Sequence, residues 1–196
     1  MNFKSTIGHL LDGYKLSQSE AYQLMTGIGE GIFNESQNTA LIIALSSRDI
    51  TLEEIIGFRE ALLDLSIPAA LTSYDAIDLC GTGGDEKNTF NISTLASFIV
   101  AAAGYKVAKH GNYGVSSISG SSNVLENIGY RFSSDPIKLE SELEELNLCF
   151  LHAPLFHPAL KNVSGIRKQL GLKTIFNTLG PLVNPARTRK QFVGVY

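Results

Sequence analysis

Cysteine is scarce in this 196-residue chain. The only two, Cys80 and Cys149, lie far apart with no metal-ligand spacing, so no disulfide framework is expected. Each borders an apolar run and reads as a small buried hydrophobe. Cys80 also sits at the lip of a glycine loop, where exposure is the other reading. An excess of positive charge is lacking too: the formal net charge is −3 and no long basic run occurs. Binding a phosphate backbone needs a concentrated Lys/Arg surface, so no nucleic-acid partner is expected. No apolar run reaches the roughly 18 residues of a membrane span, and Met1 to Leu11 lack a signal-peptide pattern. No internal repeat and no low-complexity segment is found. These absences lead to the expectation of a cytoplasmic protein without a membrane partner. What remains is an ordinary globular composition, 44% hydrophobic, long enough for one large domain or two small ones.

The pattern changes near Pro68. Residues 1–66 read as helices. Ser17 with Glu20, Asn34 with Gln37 and Thr51 with Glu54 have the spacing of capping boxes. Behind them Glu20–Ile28, Glu35–Ser46 and Leu52–Leu65 carry apolar residues at helical intervals. Gly13, Gly31 and Pro68 punctuate the run. Short helices with brief connections predict a small helical subdomain over 1–66. Its faces pack on one another or supply the subunit contact of a homodimer. Further on, Ala76–Cys80, Tyr105–Ala108, Leu148–Leu151 and Gln191–Tyr196 read as strands. Ser93–Ala103, Ser121–Ile128, Asp135–Glu145 and His157–Leu170 read as helices. That alternation predicts a mainly parallel sheet with flanking helices, an α/β domain over 72–196. The last strand pattern is still running at Tyr196, so the sheet is expected to be truncated there.

The chemistry-bearing residues cluster where strands end. The first strand leads into Gly81-Thr82-Gly83-Gly84-Asp85, and a helix starts soon after. Glycines at a strand's carboxyl end let the backbone approach an anion; a ligand-free tight turn is the other reading. The loop is neither a dinucleotide fingerprint, lacking a glycine three positions after Gly83, nor a Walker loop, lacking Gly-Lys-Ser/Thr. Asn91, Ser93 and Thr94 begin the next helix. Ser93 or Thr94 reads as an N-cap, or as a donor to phosphate beside the helix dipole. A serine oxygen also suits Mg²⁺. Lys109-His110-Gly111-Asn112 closes the second strand on the same rim. Lys109 reads as a solvated surface group or as a point charge for phosphate. Ser116 to Ser122 form a second hydroxyl-rich loop, a candidate anion nest. Arg167 reads as a surface cation of its helix or as a bidentate grip on a carboxylate. His157 before Pro158 reads as a helix-entry residue.

In order and spacing, Gly81 to Asp85, Asn91 to Thr94, Lys109 to Asn112, Ser119 to Ser121 and Phe176 to Pro185 resemble the anthranilate phosphoribosyltransferases. The resemblance runs from the helical region to the last residue. It implies transfer of the phosphoribosyl group from 5-phosphoribosyl diphosphate to anthranilate, in tryptophan biosynthesis, with Mg²⁺ as cofactor. It implies that Gly81, Thr82, Gly83, Gly84, Asp85, Thr89, Asn91, Ser93, Thr94, Lys109 and Ser121 contact the phosphoribosyl diphosphate. Ser93 would ligate the metal, and Gly81, His110, Asn112 and Arg167 would meet anthranilate. No general base is assigned. Family members often have Arg where this chain has Tyr113, and Asp where it has Asn123. The family's sheet continues further and supplies an Asp-Glu pair for magnesium, absent from these 196 residues; slow or no turnover by the chain alone is therefore expected. Two other readings stand beside this one. One is an enzyme like the pyrimidine nucleoside phosphorylases, against which the Lys109 to Asn112 and Asn177 to Pro181 segments argue. The other is a noncatalytic fragment that keeps anion binding or a dimer contact.

Overall fold

The computed structural model of the chain describes residues 2–83, 90–114 and 119–195. In chain order its helices are α1 Phe3–Leu11, α2 Gln18–Gly29, α3 Glu35–Ser46, α4 Leu52–Asp64, α5 Ile92–Ala102, α6 Ser121–Asn127, α7 Pro136–Glu145, α8 Ala153–Phe156, α9 Lys161–Leu170 and α10 Ile175–Leu179. Its strands are β1 Ile77–Gly81, β2 Val107–Gly111, β3 Leu148–His152 and β4 Lys190–Gly194. The chain forms two compact units. One joins the residues up to Ser66 to His157–Val183; the other joins Ile67–Phe156 to Asn184 and the residues after it.

The helical unit follows its caps. All three expected capping boxes form, at Ser17, Asn34 and Thr51. Helix α1 was not singled out by the pattern, because Asn2 caps it through the Lys4 N–H without a reciprocal Glu or Gln. Leu24, Met25, Leu41, Ile42 and Phe58 are buried in one core with Val163, Ile166, Ile175, Phe176 and Leu179. That shared core is why α9 and α10 belong with the helices, although the sequence division at 66 and 72 places them with the sheet. The helix expected over His157–Leu170 is broken into a 3₁₀ turn, Pro158–Leu160, and α9. The proline holds His157 at φ −120°, ψ 68°, outside the helical region. Helices α2 and α4 cross at Gly57, where a Cβ would lie 2.9 Å from Ala21 Cβ and 3.0 Å from Tyr22 N.

The α/β unit carries one four-stranded sheet in the order β3-β2-β1-β4, with every pairing parallel. Leu139, Leu143, Cys149, Leu151 and Phe156 share one core cluster; Leu79, Ala101 and Val107 form a second. Both cysteines are buried and free, and burial pushes each thiol up to about 12. Helix α5 leaves Ile92, Leu95, Phe98 and Ile99 exposed, as β4 leaves Phe192. Among the described residues no helix is long and apolar enough to cross a membrane.

Candidate functional site

Parallel pairing brings Gly81, Gly111, His152 and Gly194 to one rim, the carboxyl ends of the four strands. In this order the chain turns from building outward through β2 and β3 to the far side of β1, and such a switch point is where open α/β sheets take ligands. Gly81 and Gly194 pair there, and Thr82 N–H donates to Gly194 O at 3.0 Å. Gly83 has φ +66°, which favours glycine. Gly84, Asp85 and Thr89 lie outside the described residues, as do Ser116 and Ser117.

Helix α5 begins on Asn91, whose side chain makes no capping bond. Ser93 and Thr94 sit inside the first turn, so neither is the N-cap that one reading expected. Thr94 is buried, and neither its Oγ1 nor Asn91 Nδ2 has a hydrogen-bond partner among the described residues. Two polar groups at a helix start, shielded and unsatisfied, fit a ligand's acceptors better than they fit a finished core.

Lys109 is not a surface residue: it is 3% exposed. Its Nζ donates to Leu79 O and, at 3.4 Å, to Ser93 Oγ. Burial lowers its pKa, while Asp78 and Cys80 pull it back up. Asp78, fully buried, accepts from the His110 N–H at 3.0 Å and from Gln191 Nε2 at 3.2 Å. Burial raises its pKa; Asn184, the His110 N–H and Lys109 oppose that rise. A cavity of about 110 Å³, lined by Thr94, Phe98, Lys109, Leu125, Tyr130 and Phe150, adjoins the lysine. A larger hollow of about 230 Å³ in the helical unit, around Tyr22, Thr26 and Phe33, holds none of the candidate phosphate groups.

The second loop is braced from α6. Asn112 O accepts from the Ser122 N–H at 3.2 Å and from Ser121 Oγ at 3.4 Å. Asn123 Oδ1 accepts from the Gly114 N–H at 3.1 Å and the Gly120 N–H at 2.9 Å. The amide oxygen thus ties the two ends of the loop together, a task for which the carboxylate common in the family is not required. Gly111 has no room for a Cβ, which would press on Ser121 Oγ and lie 2.7 Å from the Phe150 ring. Tyr113, the other departure, meets the His152 ring edge-on at 5.1 Å and donates its hydroxyl to Glu126 at 3.4 Å. His152 stacks on Phe132 at 4.1 Å and shares a 2.9 Å hydrogen bond with Ser122 Oγ. Burial lowers its pKa, with Glu126 opposing.

Gly81, Asn91, Ser93, Thr94, Lys109, His110, Asn112 and Ser121 all belong to the α/β unit, while Arg167 belongs to the helical unit. Arg167 lies over the Phe176 ring at 5.2 Å; its Nε has no hydrogen-bond partner among the described residues, and burial lowers its pKa. His157 Nε2 bonds Val183 O at 2.9 Å. Sequence reasoning gave no individual role to Asp78, His152 or Asn184, and read Ser122 only as part of the hydroxyl-rich loop. Asp78 alone carried a signal, a carboxylate inside an apolar strand.

Among the described residues no three His, Cys, Asp or Glu gather to hold a metal. A hard cation that keeps waters and takes substrate phosphates needs few protein oxygens. Ser93 Oγ, with the unpartnered Thr94 hydroxyl next to it, fits that demand.

A parallel sheet whose strand ends present glycines, hydroxyls and a buried lysine, in a chain that also carries a helical bundle, defines an α/β protein of two units. The chain belongs to the glycosyl transferase family: the family's helical bundle domain matches residues 4–66, and its a/b domain matches residues 73–196. It is 57% identical over 193 residues to the anthranilate phosphoribosyltransferase of Flavobacterium psychrophilum, covering 98% of this chain and 58% of that protein. The crystal structure of the Thermus thermophilus anthranilate phosphoribosyltransferase superposes with a TM-score of 0.88 at 37% identity, covering 97% of this chain and 58% of that one. The Saccharomyces cerevisiae enzyme in complex with PRPP and Mg superposes with a TM-score of 0.79 at 29% identity, covering 99% and 58%. The chain thus spans about 58% of the length of these relatives.

Proposed function

We propose that the α/β unit binds 5-phosphoribosyl diphosphate with Mg²⁺, and that the chain serves transfer of the phosphoribosyl group to anthranilate. The products are N-(5-phosphoribosyl)anthranilate and pyrophosphate, a step of tryptophan biosynthesis. One observation carries the reading: the buried Lys109 Nζ sits against Ser93, next to a shielded Thr94 hydroxyl without a partner among the described residues, at the carboxyl rim of a parallel sheet.

In the reaction the amine lone pair of anthranilate forms a bond to C1 as the C1–O bond to diphosphate breaks. The diphosphate departs with the electron pair, and the nitrogen then sheds a proton. Charge builds on the leaving group, so preorganised donors in a low-dielectric setting favour its departure. Lys109, Asn91, Thr94 and Ser121 with the backbone of Gly81 and Gly83 would supply such donors, and Thr82, through its hydroxyl, Gly84, Asp85 and Thr89 are the further contacts of this reading. Magnesium, held through Ser93, would neutralise phosphate charge. An aniline-type amine is neutral at pH 7 and needs positioning more than a base. Arg167 would take the carboxylate of anthranilate, with Asn112, Gly81 and His110 as further contacts. Its partnerless Nε supports that role. The reading includes a homodimer through the helical unit and a cytoplasmic location.

Calorimetric titration of Lys109→Met tests it. The lost charge-assisted contact should weaken phosphoribosyl diphosphate binding roughly ten- to a hundredfold, with anthranilate affinity almost unchanged. A variant that loses anthranilate and keeps the diphosphate sugar would overturn the assignment.

A further inference from the structure

The sheet is not evenly knit. Strand β1 pairs with β4 at five positions and β3 with β2 at five, yet β1 and β2 pair only at Ile77 and Val107. The Ile77 N–H donates to Lys106 O at 2.9 Å. Continued in register, the ladder would send the Leu79 N–H to Ala108 O and the His110 N–H to Leu79 O. Three of those four groups are taken by side chains instead. Ala108 O accepts from Asn184 Nδ2 at 2.9 Å, the His110 N–H donates to Asp78 Oδ1 at 3.0 Å, and Leu79 O accepts from Lys109 Nζ. Asp78, Lys109 and Asn184 are 0%, 3% and 5% exposed. A buried polar wedge therefore stands where ladder bonds would run, just below the ends from which both candidate anion loops start.

We propose that Asp78 is a positioning residue of the site: it holds β1 and β2 apart through the His110 N–H, which leaves Leu79 O free to anchor the Lys109 side chain in the gap. The wedge stands on geometry alone. That the anion served is a diphosphate rests on the function proposed above. A continuous ladder would draw the two loops together and bury Leu79 O in a backbone bond, leaving the lysine no anchor.

Two variants test the wedge. Asp78→Ala removes the acceptor, so exchange of the His110 amide should speed about tenfold or more while the Cys149 amide, paired within β2–β3, keeps its rate; magnesium pyrophosphate should bind about tenfold more weakly. Asp78→Asn keeps an amide oxygen as acceptor, so its His110 exchange should stay close to that of the unmodified chain. Unchanged His110 exchange in folded Asp78→Ala, or exchange as fast in Asp78→Asn as in Asp78→Ala, overturns the proposal. If the unmodified chain binds no pyrophosphate, the function reading fails, and exchange alone decides the role of Asp78. Should both variants fail to fold, the NMR coupling across the hydrogen bond from the His110 amide to the Asp78 carboxyl carbon is measured in the unmodified chain, and its absence refutes the contact.

Discussion

Glu54 shows how much one side chain can carry. It is fully buried and closes the Thr51 capping box, accepting the Thr51 N–H at 2.9 Å. It also accepts the Leu16 N–H at 2.8 Å, 38 residues away, and pairs with the Arg48 guanidinium. Burial pushes its pKa up, but Arg48 and the two N–H groups outweigh that and hold it below 4.5. Glu54→Gln strips the charge from a buried pair and should cost on the order of 3 kcal/mol in urea unfolding at pH 7. The sign of the pH effect follows. A depressed carboxylate stabilises fully above its unfolded value and loses that stability as pH falls through the folded one. The variant should therefore lose less stability on acidification below pH 4.5 than the unmodified chain; equal losses would contradict this account. His152 acts in the opposite sense. Its pKa is lowered by burial, so the unfolded chain binds its proton first and stability falls as pH drops below about 6.5. His152→Phe keeps a ring to stack on Phe132 but leaves Ser122 Oγ unpaired. It should cost about 1–3 kcal/mol at pH 7.5 and flatten the decline between pH 7 and 5. An undiminished decline would point to another group.

Among the elements, the α2–α4 crossing is set by a missing side chain. At Gly57 an added Cβ would meet Gln18 O, Ala21 Cβ and Tyr22 N. Gly57→Ala gains helix propensity, about 1 kcal/mol, but a methyl group with nowhere to go in a packed interface costs about 1–3 kcal/mol. The net expectation is a lower thermal midpoint by circular dichroism. A raised midpoint would mean that the helices separate without penalty. Helix α5 poses a different demand. It begins without a side-chain cap, so its first N–H groups are free of intrahelical side-chain acceptors, and an anion placed there would meet them and the helix dipole together.

For the chain as a whole, the proposed ligand should act as a stabiliser. A ligand that binds only the folded state raises unfolding free energy by RT ln(1 + [L]/Kd), about 2.7 kcal/mol at a hundredfold excess over Kd. The thermal midpoint of the chain should therefore climb with the concentration of phosphoribosyl diphosphate and magnesium together, and by less with either alone. A midpoint indifferent to both would remove the support for anion binding by these 196 residues.

The amino-acid sequence determined what is local. The capping boxes at Ser17, Asn34 and Thr51, the alternation of strand and helix, and the glycine and hydroxyl loops depend on neighbours a few residues apart, so spacing reveals them. It also made the strand ends with Gly81 and Gly111 legible, because parallel strands joined by helices must end on one side. Only the tertiary structure decided that Lys109 is buried rather than solvated, and that α9 and α10 share a core with the first four helices. It alone placed Asp78, Asn184 and Lys109 in the gap between β1 and β2, and Ser122 against His152. Those outcomes depend on which distant groups meet and on the water they exclude. A carboxylate and an amine far apart in the chain leave no periodic trace of the low-dielectric space they come to share.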